Sequence, residues 1–477
     1  MEKRNWLWEA GMFFVRSLLF FGVMAAGLVL SGGQGLASSQ NVPWDVEEHV
    51  LPNGLKILFF VEDRAPVVTS MIWYRVGSRN ELPGFTGMAH MVEHMMFKGT
   101  NRFGPKIFSN RIQRNGGRHN AFTSHDYTAY FERMASDRVG VAFELEADRM
   151  RHLLLDPKEF LLERDVVREE RRRSIEDNPV RLLWENLRAA AFKAHPYGWP
   201  VIGWASDIEQ LDVETARQFY QSYYSPSNAV LVVVGSFDPP SLLKQIRREF
   251  NDIPKGSTPP SLQAKEPSQR GERRILVKKE AQLPYVGVAY HVPNVGSPDA
   301  YALEVLAEVL GGGRSGRLRQ ELVEKRQLAL SADAGYSLIS ADPELFTLSA
   351  QPTQGVSSEV SEEALYEVVE RIKTEGISEE ELKRVKRRIS AQHVMQLDSQ
   401  FFRALVLGRA ETIGDWRLVT EFLPNIRKVT SEDIQRVAQK YLTEENRTVG
   451  FLVPLPITTS PQETPPSLSP HGRGEAR

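Results

Sequence analysis

Apolar and polar positions along this chain follow two patterns, one typical of half-buried strands and one typical of amphipathic helices. Short apolar and β-branched runs predict strands at 67–75, 229–235 and 285–292. Amphipathic spacing predicts helices at 214–224, 238–250 and 301–310. Because runs of strands are separate from runs of helices, we expect the α+β fold class, with largely antiparallel sheets packed against helices.

The order of these elements occurs twice along the chain. A strand at 67–75 is followed by a turn-rich stretch and a helix, and the strand at 285–292 is followed in the same way. Residues 254–271, rich in proline and polar side chains, predict a linker between the two repeats. The sequence therefore predicts two homologous domains, at 42–253 and 272–454.

Both ends of the chain have a different character. Lys3 and Arg4 precede an uninterrupted small and apolar run at 17–30, and Gly35-Leu36-Ala37 offers the small residues that a signal peptidase reads. The run is shorter than the ~20 residues of a membrane-spanning helix, although an uncleaved anchor is the alternative. We expect a signal peptide over 1–37, a periplasmic or secreted protein with no membrane span after cleavage, and a disordered tail over 455–477.

Composition narrows the possible partners and chemistries. The chain has 477 residues, of which 41% are hydrophobic and 25% charged, so it is long enough for more than one core. Its net charge of −2 implies neither nucleic acid nor an anionic membrane as a partner. It contains no cysteine, which excludes disulfides, thiolate metal sites and cysteine nucleophiles.

The segment His90-Met91-Val92-Glu93-His94 carries the most specific chemistry. On a helix, His90 and His94 are at i and i+4, so both imidazoles project from one face and can bind one cation. Glu93 is close enough to reach a water molecule at that cation without binding the metal itself. The alternative, histidines satisfied in a core, has to bury three ionisable groups together. The motif therefore predicts a metal site suited to hydrolysis.

Two imidazoles do not hold zinc firmly, so we expect a third protein ligand. The stretch 159–178 predicts a charged helix, and its inward apolar stripe is predicted at Leu161, Leu162, Val166 and Val167. Glu163 and Glu170, at i and i+7, lie beside that stripe, whereas Glu169 points elsewhere. From the residues alone, these two glutamates are either metal-site residues or ordinary salt-bridge partners.

Both motifs together resemble the pitrilysin-type metallopeptidases, the inverzincin family that includes insulin-degrading enzyme and mitochondrial processing peptidase. The segments that carry the resemblance are H-M-V-E-H at 90–94 and E-R-D-V-V-R-E-E at 163–170, and the likeness extends over about 45–455. The resemblance implies that Glu170 is the third ligand of one zinc ion per chain and that Glu163 orients the site. It also implies that Asn120 and Ala121 lie on an edge strand that binds extended peptide substrates.

The function implied by the resemblance is a zinc-dependent endopeptidase or oligopeptidase. A metal-activated water attacks the peptide, and Glu93 acts as general base. His119 and His125, in a predicted strand and loop, are expected to be surface or substrate contacts rather than ligands.

One block departs from the family pattern. Active members carry Arg and Tyr in a block resembling R-x-K-x-x-L-x-Y, whereas this chain has Val323 and Leu330 there, and Tyr336 is displaced by six residues. Neither Val nor Leu donates a hydrogen bond to an oxyanion. Our hypothesis is that a second, homologous subunit supplies these donors in a heterodimer. The alternative function is a non-catalytic zinc-binding scaffold or chaperone-like subunit. A nucleotide site at 311–317 is excluded because the G-K-[ST] ending is missing.

Overall fold

Two β-sheets form the framework of the chain in a computed structural model that describes residues 44–456. The predicted signal peptide and nearly all of the predicted tail lie outside these residues. The first sheet has the order β1-β2-β6-β3-β5-β4 and the second has the order β7-β11-β8-β10-β9. The strands of the first sheet are β1 (Val46–Val50), β2 (Lys56–Val61), β3 (Val67–Tyr74), β4 (Arg118–Thr123), β5 (Thr128–Ala135) and β6 (Ala229–Gly235). Those of the second are β7 (Arg273–Glu280), β8 (Tyr285–Val292), β9 (Ala329–Gly335), β10 (Glu344–Pro352) and β11 (Arg447–Leu455).

Helices pack on both sheets. The helices of the first half are α1 (Met88–Met95), α2 (Ile107–Arg114), α3 (Gly140–His152), α4 (Pro157–Arg171), α5 (Pro179–Ala191), α6 (Ala205–Gln210), α7 (Val213–Tyr223) and α8 (Pro239–Phe250). Those of the second half are α9 (Asp299–Gly311), α10 (Ser358–Glu375), α11 (Glu379–Gln396), α12 (Gln400–Ile413), α13 (Leu418–Lys428) and α14 (Ser431–Tyr441). No helix within residues 44–456 is both long and apolar enough to cross a membrane.

The α+β class with largely antiparallel sheets is confirmed. Only the β2–β6 and β7–β11 pairs are parallel among the strand pairs of the described residues. The predicted strands at 229–235 and 285–292 have these bounds in the structure. No helix or strand lies between Phe250 and Arg273, where the sequence predicts a linker. The division into two domains at that linker stays a prediction.

Each sheet is covered on one face by a helix from the other half of the chain. Helix α12 buries Ala404 and Leu407 against Trp73 and Val232 of the first sheet. Its buried Glu411 binds Arg75 and Lys56, each at 3.0 Å. Helix α5 covers the second sheet in return. The two largest cores each lie within one half of the chain, whereas the smaller core on the other face of each sheet is built from both halves.

Two paired glycines explain how closely α5 approaches its sheet. Gly287 and Gly450 are directly opposite each other on β8 and β11. A Cβ atom on Gly450 would lie 3.0 Å from Leu183 and from Leu187, both on α5. Since glycine has no side chain, the helix packs directly on the strand backbones at this point.

The buried face of α4 differs from the sequence prediction. Val167 is buried as predicted, but Leu161, Leu162 and Val166 are 52%, 54% and 49% exposed. The buried residues of α4 are instead Phe160, Glu163, Val167 and Arg171. The prediction was wrong because it took only apolar side chains as buried, whereas this helix buries two charged side chains whose partners compensate them.

Candidate active site

Helix α1 begins at a fixed point because its N-terminal backbone is capped by a buried carboxylate. Glu81 accepts hydrogen bonds from the backbone N–H groups of Gly87 at 2.9 Å and Ala89 at 2.8 Å. These are donors that a helix cannot satisfy internally. Gly87 has φ +89°, and a Cβ there would lie 2.6 Å from the carbonyl oxygen of Ile202. This anchoring determines which face of α1 points towards α4.

Three side chains predicted as metal ligands converge between α1 and α4. His90, His94 and Glu170 each offer one ligand atom, and these atoms lie within 4.8 Å of one another. Nε2 of His94 lies 3.5 Å from Oε2 of Glu170. Ligands bonded at 2.0–2.2 Å in a tetrahedral zinc site are separated by about 3.4 Å. The donor set and its spacing therefore fit a divalent cation such as zinc.

Glu163 contacts one of these three side chains from the opposite side. Its carboxylate accepts a hydrogen bond from Nδ1 of His94 at 2.9 Å and also pairs with Lys98. Burial would raise the pKa of Glu163, but the His94 and Lys98 contacts outweigh it and lower that pKa. Because Nδ1 donates to Glu163, Nε2 is the nitrogen directed towards Glu170. A carboxylate behind a histidine in this way is typical of metal-binding imidazoles.

The electrostatics of the group favour a cation. Burial would raise the pKa of Glu170, yet the hydrogen bond and charge of His94, together with His90, lower it to about 2. Burial would lower the pKa of His94, but its bonds to Glu163 and Glu170 raise it to about 10. Burial and the neighbouring His94 lower the pKa of His90. The carboxylates thus hold one positive charge, here a proton on His94.

Glu93 is buried beside this group, with 8% of its surface exposed. The hydroxyl of Thr123, the last residue of β4, donates a hydrogen bond to Oε2 of Glu93 at 2.6 Å. The helix face that carries the two histidines therefore also places a carboxylate next to them, in contact with a sheet edge.

The predicted substrate residues lie on that edge. Asn120 and Ala121 are in β4, which is the terminal strand of its sheet and pairs only with β5 in the described chain. Ala121 is buried in the core that contains α1, whereas Phe122 packs against the opposite core. By strand alternation, the Asn120 side chain shares a face with Phe122 and not with Ala121.

The C-terminal end of α4 is tied to the start of α1. Arg171, directly after Glu170, forms two 2.8 Å hydrogen bonds to Glu185 and donates to the carbonyl oxygen of Gly203 at 2.7 Å. The backbone of Gly203 in turn packs on Gly87, since a Cβ at Gly203 would lie 2.7 Å from the Cα of Gly87. Arg171 therefore links the helices that carry the three converging side chains.

His119 and His125 are not in this group, and both are half-buried rather than simple surface residues, while a role as substrate contacts stays a prediction. His119 packs beside Phe97 and Phe108 with ring centroids 5.4 Å apart, and burial lowers its pKa to about 4. Nδ1 of His125 is 2.7 Å from the hydroxyl of Ser78. Both rings therefore pack the β4–β5 hairpin against neighbouring elements.

No oxyanion donor is found at the positions where the family block carries one. Leu330 is 53% exposed on β9, and Val323 packs against the hydrophobic core between the second sheet and its own helices. The hydroxyl of Tyr336 donates to the carbonyl oxygen of Pro293 at 2.5 Å, so it is already engaged.

Sequence reasoning missed Thr123, Lys98, Glu81 and Arg171. Thr123 has a signal in the sequence, because it is two residues after Ala121 and so shares its strand face. Lys98 follows His94 by one helical turn, which is a weaker signal. The roles of Glu81 and Arg171 depend on contacts distant in sequence, and no local pattern indicates them.

Comparisons with known proteins agree with this arrangement. Residues 58–204 match the family described as Insulinase (Peptidase family M16), and residues 210–389 match the Peptidase M16 inactive domain. The chain is 32% identical to a Helicobacter pylori protein named zinc protease PqqE, over 86% of this chain and 93% of that protein. It is 27% identical to the uncharacterized zinc protease YmxG of Bacillus subtilis, over 84% of this chain and 96% of that protein.

A solved structure of a protease from Helicobacter pylori superimposes with a TM-score of 0.83 at 31% identity, covering 86% of this chain and 99% of that one. A putative M16-like peptidase from Alicyclobacillus acidocaldarius, at 20% identity, shares the fold with a TM-score of 0.77, covering 88% of this chain and 100% of that one. The chain therefore belongs to peptidase family M16, the pitrilysin-type family that its motifs resemble.

Proposed function

We propose that this chain is a zinc-dependent endopeptidase or oligopeptidase, with His90, His94 and Glu170 as the ligands of one zinc ion. The observation that carries the proposal is the convergence of these three side chains within 4.8 Å, from two helices separated in sequence. The names of the zinc protease relatives support the choice of metal.

The reaction that this geometry supports is hydrolysis of a peptide bond. Zinc, when bound, polarises the scissile carbonyl and makes a neighbouring water molecule more acidic. Glu93 takes one proton from the attacking water and then transfers it to the nitrogen of the leaving amine. Glu163 holds His94 by Nδ1 and keeps its Nε2 directed at the cation.

Substrate is proposed to bind as an extra strand on β4. The free edge of β4 offers backbone groups at Asn120 and Ala121, next to the strand end that contacts Glu93. Strand addition relies on main-chain hydrogen bonds, so it holds a peptide extended with little dependence on its side chains.

We further propose that a homologous subunit completes the site in a heterodimer. Val323 and Leu330 cannot stabilise an oxyanion, and Tyr336 is engaged with Pro293. Losing one such donor costs about 2.7–4 kcal/mol of transition-state stabilisation. Purified chain alone should cleave peptides slowly, and adding the homologue should restore the rate. Full activity of the isolated chain would contradict the heterodimer.

The non-catalytic scaffold is the second candidate, because residues 210–389 match a domain described as inactive and the second half lacks the two donors. Glu93→Gln separates the two functions. The peptidase proposal expects bound zinc to stay at one per chain while hydrolysis of a peptide library is lost. If wild-type protein with its homologue and the variant show the same cleavage, or none, the scaffold is the better description.

Export to the periplasm or beyond is also proposed, from the signal-like sequence at 1–37 alone. Sequencing the N-terminus of the mature protein tests it. We expect the mature protein to begin directly after Ala37. An uncleaved N-terminus on protein recovered from the cytoplasm would contradict export.

A further inference from the structure

The contact between Thr123 and Glu93 joins the proposed substrate strand to the proposed base. Thr123 ends β4, and its hydroxyl lies 2.6 Å from Oε2 of Glu93. The carboxylate is nearly buried, so this contact is made away from bulk water. A hydrogen bond to an ionised carboxylate is shorter and stronger than one between neutral groups.

The strand pattern aims this hydroxyl at α1. Side chains alternate between the two faces of a strand, so Thr123 shares a face with Ala121. Ala121 is buried in the same core as Met91 and Val92 of α1. The direction of the Thr123 side chain is therefore determined by the alternation of the strand, which turns it towards α1.

The available protons fix the direction of the bond. A threonine hydroxyl has one proton to donate. Thr128, the partner of Thr123 on β5, donates its own proton to the carbonyl oxygen of Val76 at 2.9 Å. The two hydroxyl oxygens are 3.4 Å apart, much further than the contact with Glu93. The proton of Thr123 thus goes to Oε2 of Glu93.

We propose that Thr123 is a positioning residue that holds Glu93 in register with a peptide bound on β4. The inference rests on the proposed peptidase function. Because one residue both ends the edge strand and binds the base, a peptide that pairs with β4 is placed at a fixed distance from the carboxylate. A misplacement of about 1 Å in such a group lowers rates on the order of 10²-fold.

Three variants test this role. Thr123→Val keeps the shape and removes the hydroxyl, and we expect kcat to fall about 10- to 100-fold with KM and zinc affinity unchanged. Thr123→Ser keeps the hydroxyl and should retain a rate near that of the wild type. Thr128→Val is the matched control, because it removes a hydroxyl from the paired strand position without touching Glu93. Wild-type kcat in Thr123→Val, or an equal loss in Thr128→Val, would overturn the proposal.

A structural measurement keeps this test independent of turnover. If zinc-loaded wild type cleaves no peptide with or without its homologue, the proposed function fails. Crystal structures of zinc-loaded wild type and Thr123→Val then decide the role of Thr123. We expect the Glu93 carboxylate to leave its position in the variant, and an unmoved carboxylate would refute the positioning role whatever the activity.

Discussion

At the scale of single residues, the site depends on two carboxylates whose negative charges are both paired with one histidine, His94. Glu163 and Glu170 contact opposite nitrogens of His94, and the side chain of Glu170 is the more exposed of the two, 32% against 10%. The histidine pair was predictable as a candidate metal site, since its i, i+4 spacing alone indicates one. Glu170 could be singled out only through the family resemblance, because Glu163 and Glu170 look alike in the local sequence and differ in which nitrogen of His94 they reach.

Glu163→Gln should weaken zinc binding. A neutral amide does not hold the Nδ1 proton of His94 as a carboxylate does, so we expect the Kd for zinc to rise about 10- to 100-fold. Glu169→Gln is the matched control, because Glu169 is on the same helix but pairs only with the exposed Arg172 and Arg173. Competition with a chromogenic chelator measures both variants. An equal effect of the two substitutions would contradict the orienting role of Glu163.

Zinc affinity should rise with pH. In the metal-free site the pKa of His94 is raised to about 10, so zinc has to displace a proton below that pH. Glu170, with its pKa lowered to about 2, is already ionised and contributes no further proton. As pH rises towards 10 the competing proton is lost, and the apparent affinity should increase about tenfold per pH unit between about pH 7 and 9. Zinc titrations in that range check the slope, and a flat profile would show that His94 binds no proton there.

At the scale of elements, the position of α4 decides whether its glutamate reaches the histidines. The sequence predicted the helix and its glutamates but assigned its buried face to leucines that are half exposed. Periodicity identifies the apolar face of a helix, whereas the buried face of α4 carries two charged side chains, Glu163 and Arg171. Their partners, Lys98 and Glu185, lie in other elements, so the local pattern could not show that burial was compensated.

Arg171→Met should loosen the site through the helices. Removing one partner of a buried ion pair leaves Glu185 uncompensated and costs about 3–5 kcal/mol in the free energy of unfolding. Zinc affinity should also fall, because Arg171 follows Glu170 directly and ties α4 to Gly203. Arg168→Met is the control, since Arg168 is exposed and forms a surface ion pair with Asp165 at 3.6 Å. Its loss should change the free energy of unfolding by less than about 0.5 kcal/mol. Chemical denaturation measures the free energy of unfolding of each variant, and zinc titration measures its affinity for zinc. Similar losses in the two variants would contradict the linking role of Arg171.

At the scale of the whole molecule, the two halves exchange covering helices. The duplication was visible in the sequence, because the same order of strand, turn and helix occurs in both halves. The exchange of helices was not visible, because nothing in the local sequence of α5 or α12 indicates which sheet it covers. Pairings so distant in sequence are determined by the complete fold.

The exchange predicts that the first half does not fold alone. A fragment of residues 44–253 lacks α12 and leaves Leu58, Trp73 and Val232 of the first sheet uncovered. We expect it to lack a cooperative thermal transition and to bind a hydrophobic dye, whereas the full chain unfolds cooperatively. Circular dichroism melting curves of both proteins make the comparison. A fragment that melts cooperatively at the temperature of the full chain would show that α12 is dispensable.

One zinc ion bound by side chains from α1 and α4 together is the central expectation for this protein. Anomalous diffraction at the zinc edge from zinc-loaded crystals tests it most directly. We expect one peak at about 2.0–2.2 Å from a nitrogen of His90, Nε2 of His94 and a carboxylate oxygen of Glu170. A peak elsewhere, or a zinc site from which Glu170 is absent, would contradict it.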